Sequence, residues 1–339
     1  MNWWRKISEK HIECLLCPHK CILAEGKVGK CGARSNSGGT IISDTYGVIS
    51  ALALDPVEKK PLYHFYPGKN ILSVGSYGCN LKCDFCQNHN ISQSTFKKDN
   101  SNQILTPKKL IEKAKEISNN IGIAFTYNEP VIWFEYMKEC AELAKSEGLK
   151  TVMISAGYVS EGPLEEIIGF IDAFNIDLKS FSNETYSKIT GAGIEPVKKS
   201  LKMISAAGKH LEITSLIIPE VNDSEDEMRQ ETEWIVNELG KNIPLHLSRY
   251  FPMFKRDNPP TLIDVMMRLF EIASNQLDFV YIGNLLAEKG RNTICPHCKK
   301  DVVVRFGYNV KYSNVDDKGC CSECGEPIYG CFNLPKLMH

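Results

Sequence analysis

Between residues 71 and 251 the chain alternates between two periodicities, and that alternation restricts the sheets it can build. Six runs, ILSVGSY (71–77), IGIAFTY (121–127), LKTVMISA (149–156), AFNIDLK (173–179), HLEITSLIIP (210–219) and PLHLSRYF (244–251), are apolar on both alternating faces. That is the pattern of parallel strands covered on two sides. Amphipathic stretches lie between them. TPKKLIEKAKEISNN puts Leu110, Ile111, Ala114 and Ile117 at helical spacing, with Thr106 as N-cap and Pro107 at the first helical position. EPVKKSLKMISAAGK does the same with Val197, Leu201, Ile204 and Ala207 and closes at Gly208, while SEDEMRQETEWIVNELG opens on acids and ends at Gly240. Strands separated by helices require right-handed crossovers, so the sequence predicts an α/β fold, either a doubly wound sheet or a barrel, full or partial.

In a barrel, chemistry gathers at the C-terminal ends of the strands. The suggestive residues fall there. A cysteine triplet follows the first run, Asn-Glu-Pro follows the second, Asp177 and Lys179 end the fourth, and His246 lies within the sixth. The chain holds fourteen cysteines, too many to pass over in a sequence that opens without the apolar core of a signal peptide. No run approaches the roughly 18 apolar residues of a membrane span, so a cytoplasmic, reducing location without membrane contact is expected. There, clustered cysteines point to metal or redox chemistry. The formal charge of -1 gives no bulk signal for nucleic acid. Cys140 stands alone in a helical stretch, where core packing explains it.

Cys79-x3-Cys83-x2-Cys86 sits in a loop directly after its strand. A structural zinc site closes with four ligands, and only His89 is near enough in sequence to complete one. The competing reading is a [4Fe-4S] cluster on three thiolates, one iron left open for a chelating ligand. The spacing, with Phe85 before the last cysteine and a strand before the loop, resembles the radical S-adenosylmethionine (SAM) superfamily. DPVEKKPLYHFYPG, CQNHNIS, FTYNEP, NIDLKSF, IIPEVNDS, YIGN and the terminal CPHC and CSECG resemble its AmmeMemoRadiSam-system group, related to pyruvate formate-lyase activating enzymes. The resemblance implies a partial (β/α)6 TIM-like barrel over residues 66–285, between an N-terminal cysteine-rich segment (1–65) and a zinc-ribbon-like C-terminal domain (286–339). It also implies that one electron from the cluster breaks the sulfonium of SAM, and that the resulting 5′-deoxyadenosyl radical takes a substrate hydrogen. Implied partners are a flavodoxin- or ferredoxin-type electron donor and proteins of the family's gene neighbourhood.

SAM is zwitterionic and needs a carboxylate for its ammonium and a cation or donors for its own carboxylate. Glu129 occupies the place of the activating enzymes' Gly-Gly-Glu-Pro loop, although Tyr127 and Asn128 stand where the glycines would be. Asp177 and Lys179 share one strand face and resemble those enzymes' Asp-x-Lys, with a buried structural ion pair as the plainer reading. Ser155 is expected to add a hydrogen bond and Asn128 to face the same mouth. His246 resembles a histidine near the adenosyl group, with a core histidine as the alternative.

Two other cysteine groups flank the barrel. Cys295-x2-Cys298 and Cys321-x2-Cys324 form two knuckles around a β-rich stretch, the pattern of one tetrahedral zinc, with rubredoxin-type iron as the other occupant. Cys320 is the alternative to Cys321, and Cys331 is left without a place. Cys14, Cys17, Cys21 and Cys31 suffice for a further site, zinc or an iron–sulfur cluster with a lean to zinc, and His19 is an alternative ligand. The substrate stays open among a glycyl-radical protein backbone, RNA and a small molecule. A non-catalytic metal-binding scaffold is the rival from another class, and it predicts degraded SAM contacts.

Overall fold

The computed structural model describes residues 2–94, 96 and 103–332. All six expected strands form, and two more extend the sheet. In chain order they are β1 (Ala51–Pro56), β2 (Asn70–Gly75), β3 (Asn120–Phe125), β4 (Lys150–Ser155), β5 (Ala173–Asp177), β6 (His210–Ile217), β7 (Leu245–Arg249) and β8 (Val280–Gly283). They lie side by side in that order as one open sheet. Every pairing from β2 to β8 is parallel, and β1 alone runs antiparallel, against β2. Parallel strands in sequential order are the arrangement of a partial barrel. The two additions escape a periodicity search for physical reasons. β1 is a half-exposed edge, and β8 is only four residues long.

Among the described residues, seven helices of eight residues or more cover the strands: α1 (Pro107–Glu116), α2 (Phe134–Ser146), α3 (Glu161–Ile168), α4 (Asn183–Thr190), α5 (Glu195–Ala206), α6 (Glu225–Glu238) and α7 (Ile263–Ser274). The Thr106 side chain accepts from the Lys109 amide at 3.3 Å, as a cap should, and Leu110, Ile111 and Ala114 are buried. Ile117 and Ala207, expected on the apolar faces, are instead the C-caps of α1 and α5. Cys140 is fully buried on α2, in the core.

The lower end of the sheet is sealed by the segment after β1. Glu212 on β6 is wholly buried and accepts four hydrogen bonds. Two come from the Tyr63 and His64 amides (3.0 and 2.8 Å), and two from Nε2 of His210 and His246 (2.9 and 2.6 Å). Burial alone would raise its pKa, but the two histidines hold the carboxyl well below the usual range. Residues from the C-terminal stretch reach the same place. Buried Arg305 donates to the Tyr63 carbonyl (2.6 Å), and the Tyr329 hydroxyl spans the Leu211 amide and carbonyl.

A second buried acid carries a prediction. Glu231 on α6 is bonded to Ser215 Oγ of β6 at 2.5 Å, and burial pushes its carboxyl up to about 8. The folded pKa lies above that of an ordinary glutamate, so folding favours the protonated form. The stability this gives is complete below about pH 4.5 and drains away as pH rises toward 8. Glu231→Gln keeps the shape without the charge and is expected to raise the thermal midpoint by roughly 4–8 °C at pH 8 and by far less at pH 5. An equal shift at both pH values would contradict the assignment.

Candidate active site

The loop after β2 is shaped by a close contact with the N-terminal segment. Gly78 has φ +87°, and a Cβ there would lie 2.4 Å from the Cys31 carbonyl oxygen, so no side chain fits. The Cys79 amide donates to that same carbonyl at 3.0 Å. Further on, the Lys82 amide donates to Thr190 O (2.7 Å), and Arg256 clamps Asp84 through Nε and a terminal nitrogen (2.9 and 2.6 Å). The loop is therefore tied to three different parts of the chain.

Cys79, Cys83 and Cys86 line one cavity of about 240 Å³ at the C-terminal ends of the strands. Phe85, Tyr127, Glu129, Ser155, Asp177 and Lys179 complete much of its wall. The Leu81 amide donates to Cys79 Sγ at 3.3 Å, and Cys86 Sγ lies 3.1 Å from Ser92 Oγ. Burial raises the Cys79 thiol well above its usual range and Cys83 to about 12, the latter against the pull of Lys179. Such thiols stay protonated until a metal's charge displaces the proton, the ordinary behaviour of soft metal ligands. Three thiols around a roomy cavity, with a cation and two acids on the same wall, fit a cluster plus a zwitterionic ligand.

Glu129 is 2% exposed. It accepts from the Val131 amide (3.1 Å), Ser155 Oγ (2.7 Å) and the Ala156 amide (2.9 Å). Burial raises its pKa while these donors and Lys179 lower it, leaving it above the usual carboxylate value. A carboxylate has about four lone-pair directions, so three donors leave room for one more toward the cavity. Lys179 Nζ is 2.9 Å from Asp177 Oδ2. Burial disfavours its charge, but Asp177 and Cys83 more than compensate and hold the ammonium above its ordinary pKa.

Two expected SAM contacts go elsewhere. Asn128 does not line the cavity; its Oδ1 accepts the Ser76 amide (2.9 Å) and its Nδ2 donates to Gly78 O (3.1 Å), so it braces the cysteine loop. His246 is not a cavity residue either. It sits second from the start of β7, low in the sheet, bonded to Glu212 and stacked on Tyr281. It is a satisfied core histidine, the alternative weighed above. The sequence reading also missed Thr214, Ser248 and Asn284, which line the cavity from β6, β7 and the turn after β8. Asn284 ends the YIGN motif, which was the available signal. Tyr127, at φ +72°, aims its hydroxyl at Asp55 (2.8 Å), and Asp55 also holds Lys60 (2.7 Å).

The flanking cysteines differ in spread. Cys295, Cys298, Cys321 and Cys324 hold their sulfurs all within 4.8 Å of one another, the sole such group among the described residues. Two of the spacings are 3.6 and 3.8 Å. Tetrahedral Zn–S bonds of about 2.3 Å imply S···S edges of about 3.8 Å. Cys320 is outside the group, and Cys331 instead pairs its backbone with His64 and Tyr66. Cys14, Cys17, Cys21 and Cys31 line a separate small cavity. His19 is not free to ligate through Nε2, which lies 2.8 Å from Asn80 O. His89 Nδ1 faces Cys86 O at 3.2 Å and its ring stacks on Phe254.

The family model of the Radical SAM superfamily matches residues 73–231, the span that carries the triplet, Glu129, Asp177 and Lys179. This chain belongs to the radical SAM superfamily. An uncharacterized protein of Methanocaldococcus jannaschii is 37% identical over 330 residues, covering 96% of this radical SAM chain and 97% of its own. The pyruvate formate-lyase-activating enzyme of Clostridium pasteurianum is 28% identical over 160 residues, which cover 47% of this chain and 67% of that enzyme. In fold, the chain is similar to Streptococcus suis SuiB bound to S-adenosylmethionine, with a TM-score of 0.50 at 13% identity over 68% of this chain and 54% of that one. No helix among the described residues is long and apolar enough to cross a membrane.

Proposed function

We propose that Cys79, Cys83 and Cys86 would hold a [4Fe-4S] cluster with SAM bound beside it, and that the chemistry this pair would supply is hydrogen abstraction from a substrate admitted at the open end of the sheet. The observation carrying this reading is the convergence of three thiols, Glu129 and the Asp177–Lys179 pair on one cavity. When bound, the cluster supplies one electron to SAM, and the 5′-deoxyadenosyl group leaves as the hydrogen-abstracting radical. The chain's own residues do the rest. Glu129 would accept an N–H of the SAM amino group with its remaining lone pair. Lys179 meets negative charge and is kept protonated by Asp177. Ser155 fixes the Glu129 carboxylate, and Asn128 and Gly78 fix the loop. Asn284 and Ser248, joined at 2.9 Å, offer polar edges to the nucleoside.

Anaerobic reconstitution, reduction with dithionite and addition of SAM should yield 5′-deoxyadenosine and methionine. A correctly assembled cluster, seen by electron paramagnetic resonance, that yields neither would refute the reading. Glu129→Gln keeps a hydrogen-bond acceptor but loses the charge, and a bond to a charged group is worth about 1.5–3 kcal/mol. The KM for SAM should therefore rise roughly 10- to 100-fold with the cluster intact, and an unchanged KM would remove Glu129 from the role.

A glycyl-radical activase is the second reading, favoured by the relatives named as activating enzymes. The substrate would then be a protein backbone glycine. Deuterium carried into 5′-deoxyadenosine from a labelled glycyl-radical protein, but not from RNA or metabolite pools, would favour it.

A further inference from the structure

We infer that Cys14, Cys17, Cys21 and Cys31 bind a second [4Fe-4S] cluster, fully ligated and set against the loop that holds the first. The distinction from zinc rests on spread. Thiolates on one tetrahedral ion sit about 3.8 Å apart, and the C-terminal four already do so. No three of the N-terminal four share a 4.8 Å sphere of mutual distance. The active-site triplet likewise falls outside that limit.

The four are nonetheless one site. The Cys14 amide donates to the Cys21 carbonyl at 2.9 Å. Cys21 Sγ and Cys31 Sγ both lie 3.7 Å from the place a Cβ on Gly29 would occupy, and Gly29 leaves that space clear. The four thiols line one small void together with Leu16, Leu23 and Arg34. An anionic centre would also meet charge there. Arg34 is 2% exposed and lies within electrostatic reach of Cys14 and Cys31. Two of its nitrogens are taken by Glu135 (2.6 and 2.7 Å), and its side chain also reaches the Cys14 sulfur. A thiolate or cluster sulfide at this site would therefore meet a buried cation.

The placement links the two centres. Cys31 O accepts the Cys79 amide, and His19, two residues after Cys17, contacts Asn80 O. One proposed ligand, Cys31, and the neighbouring His19 thus each hydrogen-bond to the active-site loop, at Cys79 and Asn80.

The test uses the full chain, purified anaerobically and reconstituted with iron and sulfide. Wild type should hold about eight iron and about eight sulfide, and the Cys17→Ala/Cys21→Ala variant about four of each, with the C-terminal metal unchanged. A Cys79→Ala/Cys83→Ala/Cys86→Ala variant should keep about four iron and a reduced-state paramagnetic resonance signal that SAM does not perturb. This variant spares the N-terminal site, so its result stands even where the N-terminal variant fails to fold. Zinc lost in place of iron from the N-terminal variant, or an iron-free triplet variant, would overturn the inference. In the second case a SAM-sensitive signal in wild type would leave the proposed SAM chemistry standing.

Discussion

Glu212→Ala is expected to cost about 3–5 kcal/mol and to lower the thermal midpoint by roughly 4–7 °C, the largest stability loss of any single polar substitution proposed for this chain. The size follows from what the carboxylate holds. Removing it strands two backbone amides and two imidazoles, none with access to water. Each buried donor left without a partner costs about 1–3 kcal/mol, partly relieved where a water enters the space of the lost side chain. Glu212→Gln should cost less, since it keeps one acceptor, but its amide would face the histidine nitrogens. Thermal unfolding of the two variants beside wild type is the measurement. A shift of under about 2 °C for the alanine variant would mean that the network is dispensable.

Cys83→Ser should abolish SAM cleavage, with a fall of at least about 10³-fold corresponding to roughly 4 kcal/mol or more of lost barrier reduction. Cys83 is 7% exposed and sits under the influence of Lys179. A hydroxyl there is too hard and too weakly acidic to replace a thiolate on iron. Iron content should drop with activity. Cys320→Ser is the matched control, because Cys320 lies outside every sulfur group described above. It should leave both iron and 5′-deoxyadenosine formation as in wild type. Full cleavage by the Cys83 variant would remove that residue from the site.

The parts of this protein that local pattern dictates were open to reading from sequence. Strand runs, the Thr106 cap, the triplet's spacing and the two terminal knuckles each depend on residues a few positions apart. Glu129, Asp177 and Lys179 line the cavity because each sits at the end of a run whose period is visible in the sequence. His246 and Asn128 lie outside it for a common reason. Being on the right strand or turn does not say which end of a strand a residue occupies once the strand is trimmed, or whether a side chain turns back onto its own loop. His246 falls at the second position of β7, one or two residues too low for the cavity. Glu212 was invisible because a single acid in an apolar strand reads as an interruption. Its four partners come from residues 63, 64, 210 and 246, and no spacing rule joins those. The N-terminal four were visible as a group, but their spread belongs to tertiary structure.

The Tyr329 ring stacks on His210, its hydroxyl grips Leu211, and its carbonyl meets His64 Nδ1 at 2.5 Å. A residue near the end of the described chain thus finishes a pocket begun at residue 63. The floor around Glu212 is therefore closed by contacts between residues far apart in sequence, so loosening the stretch around Tyr329 is expected to expose the buried acid and its histidines while the upper half of the sheet stays paired.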